Sequence, residues 1–309
     1  MISTCTLNPS LDYYMEFPEK LKTNTANRSE LEYYEAGGKG INVSIILNNL
    51  GIPTRAFGFV GGFTKDFYIS LLAKYENIRP NFTYINGHTR INVKCSADDA
   101  VTNLNATGPY ITDADMQNLK KKVAGLYEGD YFVIAGNTPE YLEKDVEDML
   151  VSCIESGVRI VVDTNPVIEK ALLPHHPFMI KTTSEELGEL VGKKLKKETD
   201  VIAAAKQVHD AGVRYVMVLL DNKTAILECK EGVYKADIIT EEIQGVNFVG
   251  TGDSLAAGFL MNYLRSRDPL DSFRFGVSCG AATATSKGLG TREKIDSFYK
   301  TTNVEKVSE

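Results

Sequence analysis

No two cysteines in this chain stand close enough to grip a metal or to cycle as a redox couple. The five (Cys5, Cys95, Cys153, Cys229, Cys279) are scattered, with no C-x-x-C pair. Histidine is as scarce, with four residues, His175 and His176 adjacent, and no ligand spacing. A zinc site or a thiol redox centre is therefore not expected, and a reducing compartment is the simplest reading. Positive charge is short too: 34 Lys and Arg against 41 Asp and Glu leave a net charge of −7. That balance argues against nucleic acid or an anionic membrane as partner, and an anionic substrate would need a local cluster of cations. No apolar run approaches membrane-spanning length, and residues 1–8 lack the basic start and apolar stretch of a secretory signal. The expected location is the cytoplasm. No G-x-G-x-x-G follows the first strand, which removes a dinucleotide-binding oxidoreductase. Linkers, repeats and low-complexity segments are absent as well.

What is present is an alternation of short apolar strands and helices. A strand over 1–7 ends at the turn Asn8-Pro9-Ser10, and strands follow at 55–61, 131–135, 158–163, 178–181 and 215–220. Helices are expected at 64–77, 112–125, 140–156, 184–191, 198–211, 253–266, 269–287 and 292–300, with an antiparallel excursion at 225–239. Continuously apolar strands such as Ile160-Val161-Val162 imply a parallel sheet covered on both faces. Two stretches break the pattern. Residues 11–36 are polar and tyrosine-rich, and Arg90-Ile91-Asn92-Val93-Lys94-Cys95 alternates, with Arg90, Asn92 and Lys94 on one face. The expected fold is one α/β domain over 1–309, carrying a small β lid built from insertions near 11–36 and 88–105.

Two glycine loops open helices. Val249-Gly250-Thr251-Gly252-Asp253-Ser254 runs into the small-residue segment Leu255–Arg265. With no Cβ at Gly250 or Gly252, backbone N–H groups can converge on an anion at the helix start, with Asp253 beside them. A carboxylate beside an anion hole suits a base that deprotonates a hydroxyl attacking a phosphoryl group. A helix capped by Asp after a glycine turn is the structural alternative, and on this stretch alone the two stay open. The second loop, Gly37-Gly38-Lys39-Gly40-Ile41-Asn42, is not a Walker A loop, because Gly40 and not Ser or Thr follows Lys39. Its amides, cation and Asn42 suit a phosphate or sugar contact, and a tight structural turn is again the alternative. Ligands of such sheets bind at the C-terminal ends of the strands. Asp12, the 37–42 loop, Asn137, Asp163, Lys181 and the 250–253 loop can therefore share one crevice.

Thr6-Leu7-Asn8-Pro9-Ser10-Leu11-Asp12, Gly37–Ser44 and Gly250–Asp253 together resemble, in order and over essentially the whole chain, the signatures of the PfkB (ribokinase-like) carbohydrate kinases. The resemblance implies a three-layer αβα ribokinase-like fold, with ATP and Mg2+ as cofactors and a small sugar phosphate as substrate. Thr89–Lys94, Gly61–Thr64 and Phe275–Gly280 resemble the members that phosphorylate fructose 1-phosphate to fructose 1,6-bisphosphate, with tagatose-6-phosphate kinases near relatives. It implies Asp253 as general base and Gly250, Thr251 and Gly252 with Asp253 as the anion hole. Asp12, Gly37, Gly38 and Asn42 match positions that hold sugar hydroxyls, and Lys39 and Arg90 match cations for the phosphate already on the substrate. The lid is implied as a homodimer interface, with Arg28 reaching the neighbouring subunit's substrate.

The departures lie on the nucleotide side. Where the family shows Lys-Pro-Asn-x-x-Glu, this chain has Lys181-Thr182-Thr183-Ser184-Glu185-Glu186, so Lys181 and Glu186 match but Thr183 stands for Asn. Glu186 would act on Mg2+ indirectly. Leu219-Leu220-Asp221-Asn222-Lys223-Thr224 lacks the Ser and glycines expected near the nucleotide, and Asn137-Thr138 replaces a Ser-rich turn. Lys181, Thr183, Glu186 and Thr224, with Gly250 and Gly252, are the expected nucleotide contacts. A sugar-phosphate-binding protein with weakened nucleotide binding is the competing expectation.

Overall fold

The computed structural model describes residues 1–97, 100–221, 223–238 and 248–307. Asn222, in the stretch flagged on the nucleotide side, lies outside the described residues, as does Ile239 at the end of the expected excursion. In chain order, β1 (Ile2–Thr6) leads directly into β2 (Ser10–Phe17) and β3 (Leu31–Gly37), and α1 (Lys39–Asn49) brings the chain back to β4 (Thr54–Gly61). After α2 (Gly62–Leu72), the short β5 (Ile78–Pro80) and β6 (Thr83–Ile85) lie beside β4, and β7 (Arg90–Ala97) and β8 (Ala100–Leu104) leave for the lid. The regular alternation then runs α3 (Asp113–Val123), β9 (Tyr131–Ala135), α4 (Glu143–Glu155), β10 (Arg159–Asp163), α5 (Pro166–Leu172), β11 (Met179–Thr183), α6 (Ser184–Val191), α7 (Glu198–Asp210) and β12 (Tyr215–Leu220). A hairpin of β13 (Thr224–Cys229) and β14 (Gly232–Asp237) follows, then α8 (Thr251–Ser266), α9 (Pro269–Ala284), α10 (Arg292–Thr301) and β15 (Glu305–Lys306).

The main sheet runs β15-β14-β13-β12-β11-β10-β9-β1-β4-β5, parallel from β12 to β5 and antiparallel beyond β12. Its strands read as unbroken apolar runs because both faces are covered. Val133, Met179 and Met217 point into one core with Ile46, Leu255 and Phe259 of α1 and α8. Phe132, Ile160 and Val216 point into the other, with Leu119, Leu150 and Ala205 of α3, α4 and α7. The three-layer fold is the expected one.

The lid is the separate sheet β3-β2-β7-β8. β2 pairs with β3 antiparallel and with β7 parallel, setting Asp12 opposite Glu35 on one side and Asn92 on the other. One face therefore carries Asp12, Tyr14, Asn92 and Lys94, and the other carries Tyr13, Tyr34, Val93 and Leu104. The helix α5 was not expected from the sequence. Its signal was Asn165-Pro166, an N-cap type residue before a proline at the first helical position.

Candidate active site

The ends of β10 and β11 and the starts of α1 and α8 meet at one point. Asp163 closes β10, Lys181 sits in β11, Lys39 opens α1, and Asp253 lies in the first turn of α8. Asp163 accepts from Lys39 Nζ at 3.0 Å and from Lys181 Nζ at 2.9 Å, one on each oxygen. Asn42, one turn into α1, donates through Nδ2 to Asp253 Oδ2 at 2.8 Å. The five groups come from four elements, with Lys39 and Asn42 both on α1, as the crossover order of the sheet allows.

The two aspartates are in opposite electrostatic states. Burial pushes Asp163 up, but Lys181 and Lys39 outweigh it and hold the carboxyl below its ordinary value. Asp253 has no cation bonded to it among the described residues. Burial and the Asp163 charge raise it to about 6, against the lowering pull of Lys181, Asn42 and Lys39. Lys39 is correspondingly raised, chiefly by Asp163. A carboxylate near 6 is still ionised at neutral pH and accepts a proton more readily than an ordinary Asp, which is the condition of a general base.

The loop before Asp253 is shaped for close approach. Gly250 caps α8 with φ of 77°, a left-handed conformation that glycine adopts without strain. A Cβ on Gly252 would fall 2.7 Å from Lys181 Nζ, so the missing side chain leaves room for that ammonium against the helix start. Thr251 Oγ1 is buried there without a hydrogen-bond partner among the described residues. Free helix amides, an ammonium and an orphaned hydroxyl at one helix N-terminus fit a phosphoryl group.

On the lid side, Asp12 is 8% exposed and accepts from Ser10 Oγ at 2.6 Å and from Asn92 Nδ2 at 3.0 Å. Lys94 Nζ stands 3.6 Å from its second oxygen. A cavity of about 220 Å3 opens between lid and α1, lined among others by Asp12, Tyr14, Gly37, Asn42 and Leu289. Asn42 thus both lines the cavity and bonds Asp253. Gly38 caps α1 beside them. Ser10, Asn92 and Lys94 were not singled out as site residues, although the alternation over 90–94 placed Asn92 and Lys94 on the face that proves to meet Asp12.

Other candidates sit differently. Arg90 directs Nε and Nη2 to the Asn8 carbonyl at 3.3 and 3.1 Å and Nη1 to the Ala106 carbonyl at 3.0 Å, so its fork ties the chain around β7. Arg28 is exposed in the stretch between β2 and β3. Thr183 and Glu186 form a capping box on α6: Thr183 N and Oγ1 both donate to Glu186 Oε2 at 2.9 Å, and Glu186 N donates back to Thr183 Oγ1 at 3.2 Å. Thr224 donates to Asp237 across the β13–β14 hairpin at 2.7 Å. Asn137 is exposed, while Thr138 is buried and shares a hydrogen bond with Thr164. Among the described residues, no group of His, Cys, Asp and Glu side chains could by itself hold a metal ion. Nor is any helix among them long and apolar enough to cross a membrane.

Residues 6–295 match the pfkB family carbohydrate kinase profile, and the chain belongs to that family. It is an enzyme of the phosphotransferase class. A 1-phosphofructokinase of Bacillus subtilis (strain 168) is 36% identical over 296 residues, covering 96% of both chains. A D-tagatose-1-phosphate kinase of Bacillus licheniformis is 30% identical over 298 residues, again covering 96% of both. In fold, the chain superposes on phosphofructokinase-2 of Escherichia coli, solved with substrates and products, at a TM-score of 0.90 and 24% identity, covering 97% of this chain and 98% of that one. Where the sequence led to tagatose 6-phosphate as the neighbouring substrate, the B. licheniformis relative carries the name of tagatose 1-phosphate.

Proposed function

We propose that this chain transfers the terminal phosphoryl group of ATP to the C6 hydroxyl of fructose 1-phosphate, with Asp253 as the base. The observation that carries the reading is the placement of Asp253, buried at the start of α8 and raised to about 6, bonded to an Asn42 that also lines the lid cavity. The hydroxyl proton passes to the Asp253 carboxylate, the freed oxygen bonds to phosphorus, and the bond from phosphorus to the ADP oxygen breaks. The α8 amides and Lys181 face the charge on the moving phosphoryl group. Asp12, with Asn92 and Lys94 behind it, accepts from the sugar hydroxyls. Lys39 turns from Asp163 toward the substrate phosphate. Both oxygens of Asp163 are taken by lysines, so Mg2+ would be held indirectly at Glu186 with phosphate oxygens completing its shell, and would neutralise phosphate charge there. The names of the two relatives share a ketose 1-phosphate, so the epimer at C4 is the alternative acceptor.

Asp253→Asn should lower kcat by a factor of about 10²–10⁴ with KM values largely kept. In the wild type, kcat/KM should climb as pH rises through about 6, because the base works only when deprotonated. Near-wild-type turnover by the variant would remove the base. A substrate panel in which tagatose 1-phosphate outruns fructose 1-phosphate would move the acceptor to that epimer.

The lid's outer face supports a homodimer. Tyr34, Ile91 and Leu104 remain 38%, 37% and 58% exposed there, beside the Tyr13–Tyr34 stack. Light scattering should give twice the chain mass for wild type and a shift toward monomer for Ile91→Asp; a monomeric wild type would exclude the dimer.

A further inference from the structure

The elements that deliver Asp163 and Asp253 also have far ends, and these meet at the opposite pole of the sheet. Tyr131 opens β9, Arg159 opens β10, Arg214 directly precedes β12, Tyr215 opens it, and Arg267 caps the C-terminus of α8. Tyr131, Phe178, Tyr215 and Tyr263 pack edge to face, with Tyr131–Phe178, Phe178–Tyr215 and Tyr215–Tyr263 centroids 5.0, 5.1 and 5.4 Å apart. All four rings are buried, which fixes the three tyrosine hydroxyls. The guanidiniums of Arg159 and Arg267 both donate to the Tyr131 hydroxyl, at 3.1 and 3.2 Å. Arg214 donates through Nε to Tyr215 at 3.2 Å and through Nη2 to Tyr263 at 2.9 Å. Arg267 lies over the Tyr263 ring at 5.5 Å, and Arg214 also feels the Tyr131 hydroxyl electrostatically.

Arg159 and Arg267 therefore share one hydroxyl, Arg214 holds two more in the same aromatic cluster, and the chemistry is unbalanced. Among the described residues none of these guanidiniums forms an ion pair with a carboxylate. The carboxylates nearby in the chain are engaged elsewhere: Asp130 holds the terminal amine at 2.7 Å, and Asp268 caps α9. Each tyrosine oxygen already accepts from an arginine, so its own proton needs an acceptor. Tyr131 has no acceptor for that proton among the described residues. The cluster is rich in donors and lacks an anion. Arg267 is also held at φ of 56°, a helix-end conformation that glycine adopts at no cost, so the backbone bears strain to keep an arginine there.

We propose that Arg159, Arg214 and Arg267 form an anion site that takes a phosphate group, free or as a phosphate ester. Planar guanidinium forks pair with phosphate oxygens two N–H groups at a time, and aromatic packing orients the forks beforehand. Arg267 follows Asp253 by 14 residues along α8, about 21 Å, so a substrate phosphate in the crevice cannot reach the site.

The test is calorimetric titration of inorganic phosphate into the full chain saturated with fructose 1-phosphate, at an ionic strength held constant with chloride. Arg214→Gln/Arg267→Gln should bind one phosphate fewer per chain than wild type, or bind it at least about tenfold more weakly, with turnover unchanged. Tyr131→Phe, which removes one oxygen and keeps the ring, should weaken the same site, with a thermal melt to confirm folding. Fructose 1,6-bisphosphate binding at least about tenfold tighter than phosphate would identify an ester site, and equal binding a free-phosphate site. Equal stoichiometry and affinity in wild type and the double arginine variant would overturn the proposal.

Discussion

The two sides of the crevice are built by different logic. On the sugar side, Asp12 is held by Asn92 from 80 residues away and by Lys94, through the parallel pairing of β2 with β7. On the donor side, Glu186 is held by Thr183 three residues away, in a box that closes the first turn of α6. A capping box completes a helix start whether or not anything binds there. A buried carboxylate gripped across two strands far apart in the chain has no such local purpose, and burying its charge is expensive unless it is used. The sugar side is thus organised for a ligand in the residues themselves, whereas on the donor side that organisation resides in Lys181 and the α8 amides.

The largest break in this comparison should come from Asp12→Asn. The change keeps the shape and removes the charge that Lys94 faces. Loss of charge-assisted hydrogen bonds to the sugar should lower kcat/KM for the sugar phosphate about 10²-fold, with KM for ATP unchanged. Steady-state kinetics with each substrate varied in turn would show it. An equal rise in both KM values would mean that the lid carboxylate serves the whole crevice, and the two sides would no longer separate.

Much of this division was legible in the sequence, and its limits have physical causes. The helix starts at Gly38 and Gly250 announce themselves, because only glycine suits those backbones. The inward face of β7 shows in the alternation Arg90-Asn92-Lys94. What the alternation cannot show is the partner strand, since pairing β2 with β7 depends on how the lid folds over some 80 intervening positions. Arg90, which the resemblance implies as a cation for the substrate phosphate, donates here to the Asn8 and Ala106 carbonyls, a use of the fork that no local pattern reveals. The bond from Lys39 to Asp163 was equally hidden, because each was legible only as a strand-end or loop residue. Glu169 was missed along with α5, the short helix that carries it.

Glu169 sharpens the contrast between used and unused carboxylates. It is fully buried beneath the donor side, and neither oxygen has a hydrogen-bond partner among the described residues. Burial, then repulsion from Asp163 and Glu186, raises its carboxyl well above the ordinary 4.5, so the folded chain keeps a proton that the unfolded chain releases. Stability is therefore lost as pH rises above 4.5 toward the folded-state value. Glu169→Leu should stabilise the fold by about 1–3 kcal/mol at neutral pH, and its advantage over wild type should widen between acid and neutral pH. Urea melts across that range would test both. A destabilised variant would show that the carboxyl serves the donor side after all.

The smallest expected effect is at Thr183, and it bears most directly on the donor side. Thr183→Ala removes the oxygen that accepts the Glu186 amide, and loss of an N-cap costs about 1 kcal/mol. Thr183→Asn should leave stability within a few tenths of a kcal/mol, because Asn caps helices at least as well as Thr. If Thr183 is only a cap, the two variants will separate by melting and coincide in KM for ATP. If Asn at this position supplies a contact that Thr withholds, Thr183→Asn will lower KM for ATP while Thr183→Ala will not. The donor side would then be one residue short of the order already present around Asp12. Its weakness would lie in a single side chain, with the backbone that carries it already in place.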